Sequence, residues 1–253
     1  MTNSFVLEIC VESVDNAVAA ELGGAQRIEL CSDLSSGGIT PSAGFMQTVR
    51  RHVRFPIHIL IRPRPGDFCY SDHELEIMRN DILAAKQFGM DGIVLGILHE
   101  NTRVDIERTK SLVAAAQPLP VTFHRAFDVS ENPDKSLEDV IQTGASRILT
   151  SGGQPRATDA LPALARLVQN AKGRILIMPC GGISAENVTH IVRTTRAQEV
   201  HSSAGTSNPG LLPHDATDGN LADGPSLQSA LFEQKVAKLV SLLSKVENDA
   251  RVT

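Results

Sequence analysis

Gly24-Ala25-Gln26-Arg27-Ile28, Gly89-Met90-Asp91-Gly92-Ile93 and Gly144-Ala145-Ser146-Arg147-Ile148 read as three copies of one junction. In each, a glycine ends a helical pattern, where a left-handed residue closes the last turn, and a β-branched residue then opens an apolar run. The junction recurs at roughly 50–65 residues, room for two helix–strand units per copy. Between the copies, strands are entered through Phe55-Pro56-Ile57 and Leu119-Pro120-Val121. Reading outward predicts eight strands: Phe5–Val11, Arg27–Cys31, Ile57–Arg62, Gly92–Ile97, Val121–Arg125, Arg147–Thr150, Arg174–Met178 and Glu199–Ser202.

Helix start signals fill the gaps. Ser71 and Glu74 have capping-box spacing. Thr40-Pro41 and Asn132-Pro133 each place a capping side chain before a proline of the first turn. Ser184 is placed to cap a helix after Gly181-Gly182. Strands alternating with helices call for a parallel sheet with right-handed crossovers. Eight such units in 253 residues fit an α/β fold of the (β/α)8 TIM-barrel type, which needs about 250. A doubly wound open sheet is the alternative. The barrel reading makes residues 1–253 one domain with irregular last units. Residues 206–225, rich in Gly, Pro, Asn and Asp, form a long loop after strand 8, and a last helix runs from Ser226 to Glu247.

Composition removes several function classes. There are 24 basic against 29 acidic residues, a net charge of −5, so no broad basic field exists for nucleic acid. Aromatics are 4% with no Trp, which leaves no stacking platform. No apolar run reaches the length of a membrane span, and the first residues do not read as a signal peptide. Cys10, Cys31, Cys69 and Cys180 contain no Cys-x-x-Cys pair, so the expectation is free thiols in a reducing cytosol.

Active sites of such barrels lie where the strands end. Glu8-Ile9-Cys10 and Glu29-Leu30-Cys31 put a carboxylate and a thiol on one face of each of two neighbouring strands. Two thiolates in a dry site suit Cu(I), although small buried cysteines are also ordinary core residues. Glu8 and Glu29 need partners if they point inward, and Arg62 and Arg125 are the candidates. Gly181-Gly182 after strand 7 and Ser202-Ser203 after strand 8 stand where barrels often bind phosphate. With Arg62, Arg125 and Ser151 they suggest a site for a small anionic ligand. His124 is the candidate acid–base group, with Asp128 or Glu8 to orient it.

The blocks Leu7–Cys10, Gly23–Cys31, Gly37–Ser42, Ile61–Arg64, Gly66–Phe68, Tyr70–Asp72, Pro120–Asp128, Arg147–Gly152 and Glu199–Ala204 resemble the CutC family of copper homeostasis proteins. They run in order over about four-fifths of the chain. The resemblance implies a single barrel, a cytoplasmic location, a homo-oligomer (dimer or tetramer) and a role in copper tolerance or trafficking. It also implies Cu(I) binding by the thiols that match Cys10 and Cys31. One departure is Arg64-Pro65-Gly66-Asp67, where the family pattern has Gly before Gly-Asp.

Two functional expectations follow. One is a cytosolic copper-binding protein using Cys10 and Cys31. The other is a barrel enzyme acting on a small phosphorylated or carboxylated metabolite. In that reading Glu29, Arg62, Arg125, Ser151, Gly182 and Ser203 bind it, and His124, Glu8 and Asp128 are the catalytic candidates. An oligomeric barrel that works through its partner surface is the third reading.

Overall fold

The computed structural model describes residues 5–205 and 224–252. Eight strands, β1 (Val6–Val11), β2 (Arg27–Leu30), β3 (Ile57–Leu60), β4 (Gly92–Leu95), β5 (Val121–Phe123), β6 (Arg147–Thr150), β7 (Leu176–Pro179) and β8 (Glu199–Ser202), alternate with eight helices. The helices are α1 (Val14–Leu22), α2 (Ala43–His52), α3 (Asp72–Gln87), α4 (Ile106–Ala116), α5 (Pro133–Thr143), α6 (Leu161–Ala171), α7 (Val188–Thr195) and α8 (Gly224–Val252). Every strand pairing is parallel, each strand joined to its neighbour in sequence, and β1 also pairs with β8. β7 and β8 pack side by side and complete a nearly closed barrel. The TIM-type expectation holds.

Period-two alternation sorts the strand residues. Leu7, Ile9, Val11, Ile28, Leu30, Ile57, Ile59, Ile93 and Leu95 are fully buried in the shell between strands and helices. Each contributes about 1.5–3 kcal/mol by leaving water. The residues between them point into the barrel.

The junction glycines Gly24, Gly89 and Gly144 all have positive φ, as the repeated motif requires. The capping box at Ser71 is complete, and the Asn132 side chain accepts two backbone N–H groups at the start of α5. Several start and stop readings change, and β3, β4 and β5 each end two residues before the sequence reading, at Leu60, Leu95 and Phe123. α2 is capped by Ser42, because the Thr40 hydroxyl instead accepts the backbone N–H of Arg62. Gly181-Gly182 does not open a helix: Ser184 turns its hydroxyl to Glu186, and α7 begins only at Val188. β7 starts at Leu176 rather than Arg174, whose N–H closes the turn after α6 and whose guanidinium holds Glu138. The expected long loop falls on residues 206–223, outside the described residues, while Gly224 and Pro225 belong to α8.

Candidate functional site

The floor of the barrel is ionic. Arg27, Gly92, Arg147 and Glu199 begin the four even strands and share one inward layer. Arg27 donates to Glu8 and to Glu199, the latter at 2.6 Å. Arg147 reaches the same Glu199 at 3.0 Å and the Thr122 hydroxyl at 3.3 Å. All of these side chains are buried. Gly92 makes the layer possible, since a Cβ there would lie 2.3 Å from the His58 ring.

One step up sit Glu8, His58, Glu29 and His201. The register pairs Glu8 with His201, and His201 Nδ1 meets Glu8 Oε1 at 2.7 Å. Burial alone would raise the Glu8 pKa, but Arg27 and His201 hold it well below the usual carboxylate range. Burial opposes charge on His201, yet its bond to Glu8 and the nearby Glu29 push its pKa up. Glu29 is pushed up to about 7, chiefly by burial, and its Oε2 has no hydrogen bond, with His201 Nδ1 at 3.6 Å. His58 is pulled down to about 3 by burial and is neutral. Arg62 and Arg125 are therefore not the partners of Glu8 and Glu29. Arg27 and His201 are, because register places them there.

Above this layer stand the thiols. Cys10 and Cys31 are buried, free, and 3.4 Å apart between sulfurs. The Cys10 pKa is well above its ordinary value, first because of the Cys31 contact and then because of burial. Cys180, directly after β7, is also buried and free, and its pKa is likewise raised by burial.

The mouth encloses a cavity of about 420 Å³, lined among others by Cys10, Glu29, Arg62, His124, Arg125 and Cys180. His124 follows β5 and caps the turn Arg125–Val129: its Nδ1 accepts the Ala126 N–H at 3.1 Å. That fixes the proton on Nε2, which is buried without a partner. Burial and Arg62 pull the His124 pKa down to about 3. Neither Asp128 nor Glu8 hydrogen-bonds to it. In this tautomer His124 is a neutral donor rather than a base.

Asp128 is saturated. Its oxygens accept from Thr150, Arg125 and Gly153, and from both the N–H and the hydroxyl of Ser151. Ser151 in turn accepts from Arg125 Nη2 at 3.0 Å. Arg62 sends its guanidinium to the carbonyls of Ser36, Gly38 and Gly66 and lies over the Phe68 ring. Gly182 and Ser203 line the same cavity.

A model of the CutC family matches residues 5–206. The chain belongs to the CutC family. A relative from Homo sapiens, named copper homeostasis protein cutC homolog, is 46% identical over 241 residues, covering 95% of this chain and 87% of the relative. A CutC family protein from Vibrio campbellii is 47% identical, covering 80% and 83%. A solved CutC structure from Streptococcus agalactiae superposes with a TM-score of 0.75 at 35% identity, over 79% of this chain and 98% of that one. Thiamine phosphate pyrophosphorylase from Pyrococcus furiosus, at 15% identity and a TM-score of 0.61 over 97% and 98%, shares the barrel fold.

Within this CutC barrel the expected residues divide by depth. Cys10, Glu29, Arg62, His124, Arg125, Asp128, Gly182 and Ser203 meet at the mouth. Ser151 joins them through Arg125, while Glu8 lies below, closed in by Arg27 and His201. Reading the strand ends misses Arg27, His58, Arg147 and Glu199. Arg27 and Arg147 stand at the fourth residue of the repeated junction, a position that could have found them. Among the described residues no helix is long and apolar enough to cross a membrane.

Proposed function

We propose that this CutC protein serves copper homeostasis by holding Cu(I) between the thiolates of Cys10 and Cys31 in the cytosol. The observation that carries the reading is the 3.4 Å approach of two free, buried sulfurs from adjacent strands. The names of its human and mouse relatives support the metal. Soft thiolates in a dry site favour Cu(I) over the hard cations that prefer oxygen. With metal–sulfur bonds of about 2.3 Å, sulfurs at this spacing subtend an angle of about 95° at the metal. A linear S–Cu–S unit asks for about 4.6 Å, so the thiols part by about 1.2 Å on loading. Both thiols give up protons as the metal enters. The free state of all four cysteines fits a reducing compartment.

The test is an anaerobic titration of reduced protein with Cu(I) against a competing chelator. One Cu(I) per chain is expected, lost in Cys10→Ser/Cys31→Ser. Binding that is unchanged in the double variant returns both cysteines to core packing.

A further inference from the structure

Among the described residues, the charges of the barrel interior and mouth are matched by opposite charges except at one place. Arg27 and Arg147 face Glu8 and Glu199. Arg125 faces Asp128, and His201 faces Glu8 and Glu29. Arg62 is only 5% exposed, yet among the described residues no carboxylate forms an ion pair with it. Its hydrogen bonds go to three carbonyls, with the Tyr70 hydroxyl also against it. Asp33 is exposed and accepts from the Ser35 hydroxyl rather than from Arg62. A buried guanidinium held by neutral dipoles alone is costly unless a counter-charge arrives. Beside it, His124 presents an Nε2–H that has no acceptor and whose direction is locked by the Ala126 N–H on the opposite nitrogen. Phe68 bridges the two, its ring 4.9 Å from the His124 ring and beneath the Arg62 guanidinium. Both groups line the same mouth cavity.

The geometry points to a binding site for a small hydroxy- or oxo-carboxylate, its carboxylate set against Arg62 and its second oxygen accepting from His124 Nε2. One unbalanced cation matches a monoanion. A phosphate dianion would bring a second negative charge toward Glu29 and Asp128, which line the same space. Two separate donors ask for two oxygens on one small body, so a plain carboxylate satisfies only half the site. A cavity of about 420 Å³ admits a molecule of up to several carbons, within the ordinary range of metabolite pockets. The site stands apart from the copper reading, because Arg62 and His124 carry it with the thiols still protonated.

The test uses reduced, metal-free, full-length protein and calorimetric titration at fixed ionic strength with pyruvate, gluconate, acetate and inorganic phosphate. Pyruvate or gluconate is expected to bind about ten-fold or more tighter than acetate or phosphate. Arg62→Gln should abolish that binding. Arg62 also ties together three loop carbonyls, so His124→Asn is the second variant. Asn keeps an acceptor for the Ala126 N–H but falls short of the Nε2 position, and it should weaken pyruvate and gluconate about ten-fold. The proposal is overturned if neither pyruvate nor gluconate binds below about 10 mM. Phosphate binding tighter than both overturns it too, as does affinity unchanged in His124→Asn.

Discussion

His124 makes the acid stability of this barrel testable. In the folded chain its imidazole is buried, beside Arg62, and pulled down to about 3 from an ordinary 6.5. The unfolded chain therefore binds a proton that the folded chain refuses throughout the window between those values. Stability must rise with pH across that window, so it is fully present above about 6.5 and is lost progressively as pH falls toward 3. At pH 5 the unfolded imidazole is almost wholly protonated and the folded one is not. The difference is worth about 2 kcal/mol, against about 0.2 kcal/mol at pH 7. His124→Asn removes the titrating group while keeping an oxygen for the Ala126 N–H. Urea unfolding of both proteins at pH 7 and pH 5 should show the wild type losing about 2 kcal/mol more than the variant. His58, also held near 3, remains in both and cancels. Equal losses in the two proteins would mean that the ring is not held neutral, and the donor role argued for Nε2 would go with it.

Three further outcomes follow from the packing. A Cβ at position 96 would lie 2.5 Å from His124 Nδ1 and 3.1 Å from the Ala126 Cβ, so Gly96→Ala should cost about 1–3 kcal/mol in a denaturant melt. Glu199→Gln strips the shared counter-charge from Arg27 and Arg147 and should cost about 3–5 kcal/mol by the same assay. Glu138→Gln, which loosens the exposed pair with Arg174, should cost less than about 1 kcal/mol.

The barrel was legible because its punctuation repeats. The three glycine junctions, the capping box at Ser71 and the Asn132-Pro133 start each name a local conformation that needs no distant partner. Mouth residues were legible for a related reason: alternation along a single strand puts Glu8 with Cys10 and Glu29 with Cys31. What a single strand does not reveal is who stands opposite. The Glu8–His201 pair joins residues 193 apart and exists only because β8 closes against β1. Arg62 and Arg125 stood in the right neighbourhood, but each long side chain folds back, Arg62 over its own loops and Arg125 onto Asp128. One signal went unused. The fourth position of the junction reads Arg27, Gly92 and Arg147, and these three with Glu199 make one inward ring, large charged groups opposite a glycine that yields the space.

That ring sets what a metal ion would cost at the carboxylates above it. Glu8, Glu29 and His201 offer ligand atoms within 4.8 Å of one another, a set that suits a hard divalent cation by composition. Both oxygens of Glu8 are already engaged, one by His201 and one by Arg27. A cation there would sit against the Arg27 guanidinium, itself fixed by Glu199, and would have to break a buried ion pair to gain Glu8 as a ligand. Glu8 is thus committed downward to the ionic floor, whereas Glu29 keeps one oxygen without a hydrogen bond and lines the mouth. The sulfurs of Cys10 and Cys31, one layer higher, carry only a contact with each other and a long approach to the Val11 carbonyl. Under the proposed copper reading, a soft ion entering from the mouth meets Cys10, whose contact is cheap to exchange, before it reaches Glu8, whose bonds are not. On that reading, ligation by Cys10 and Cys31 therefore costs less than ligation by Glu8.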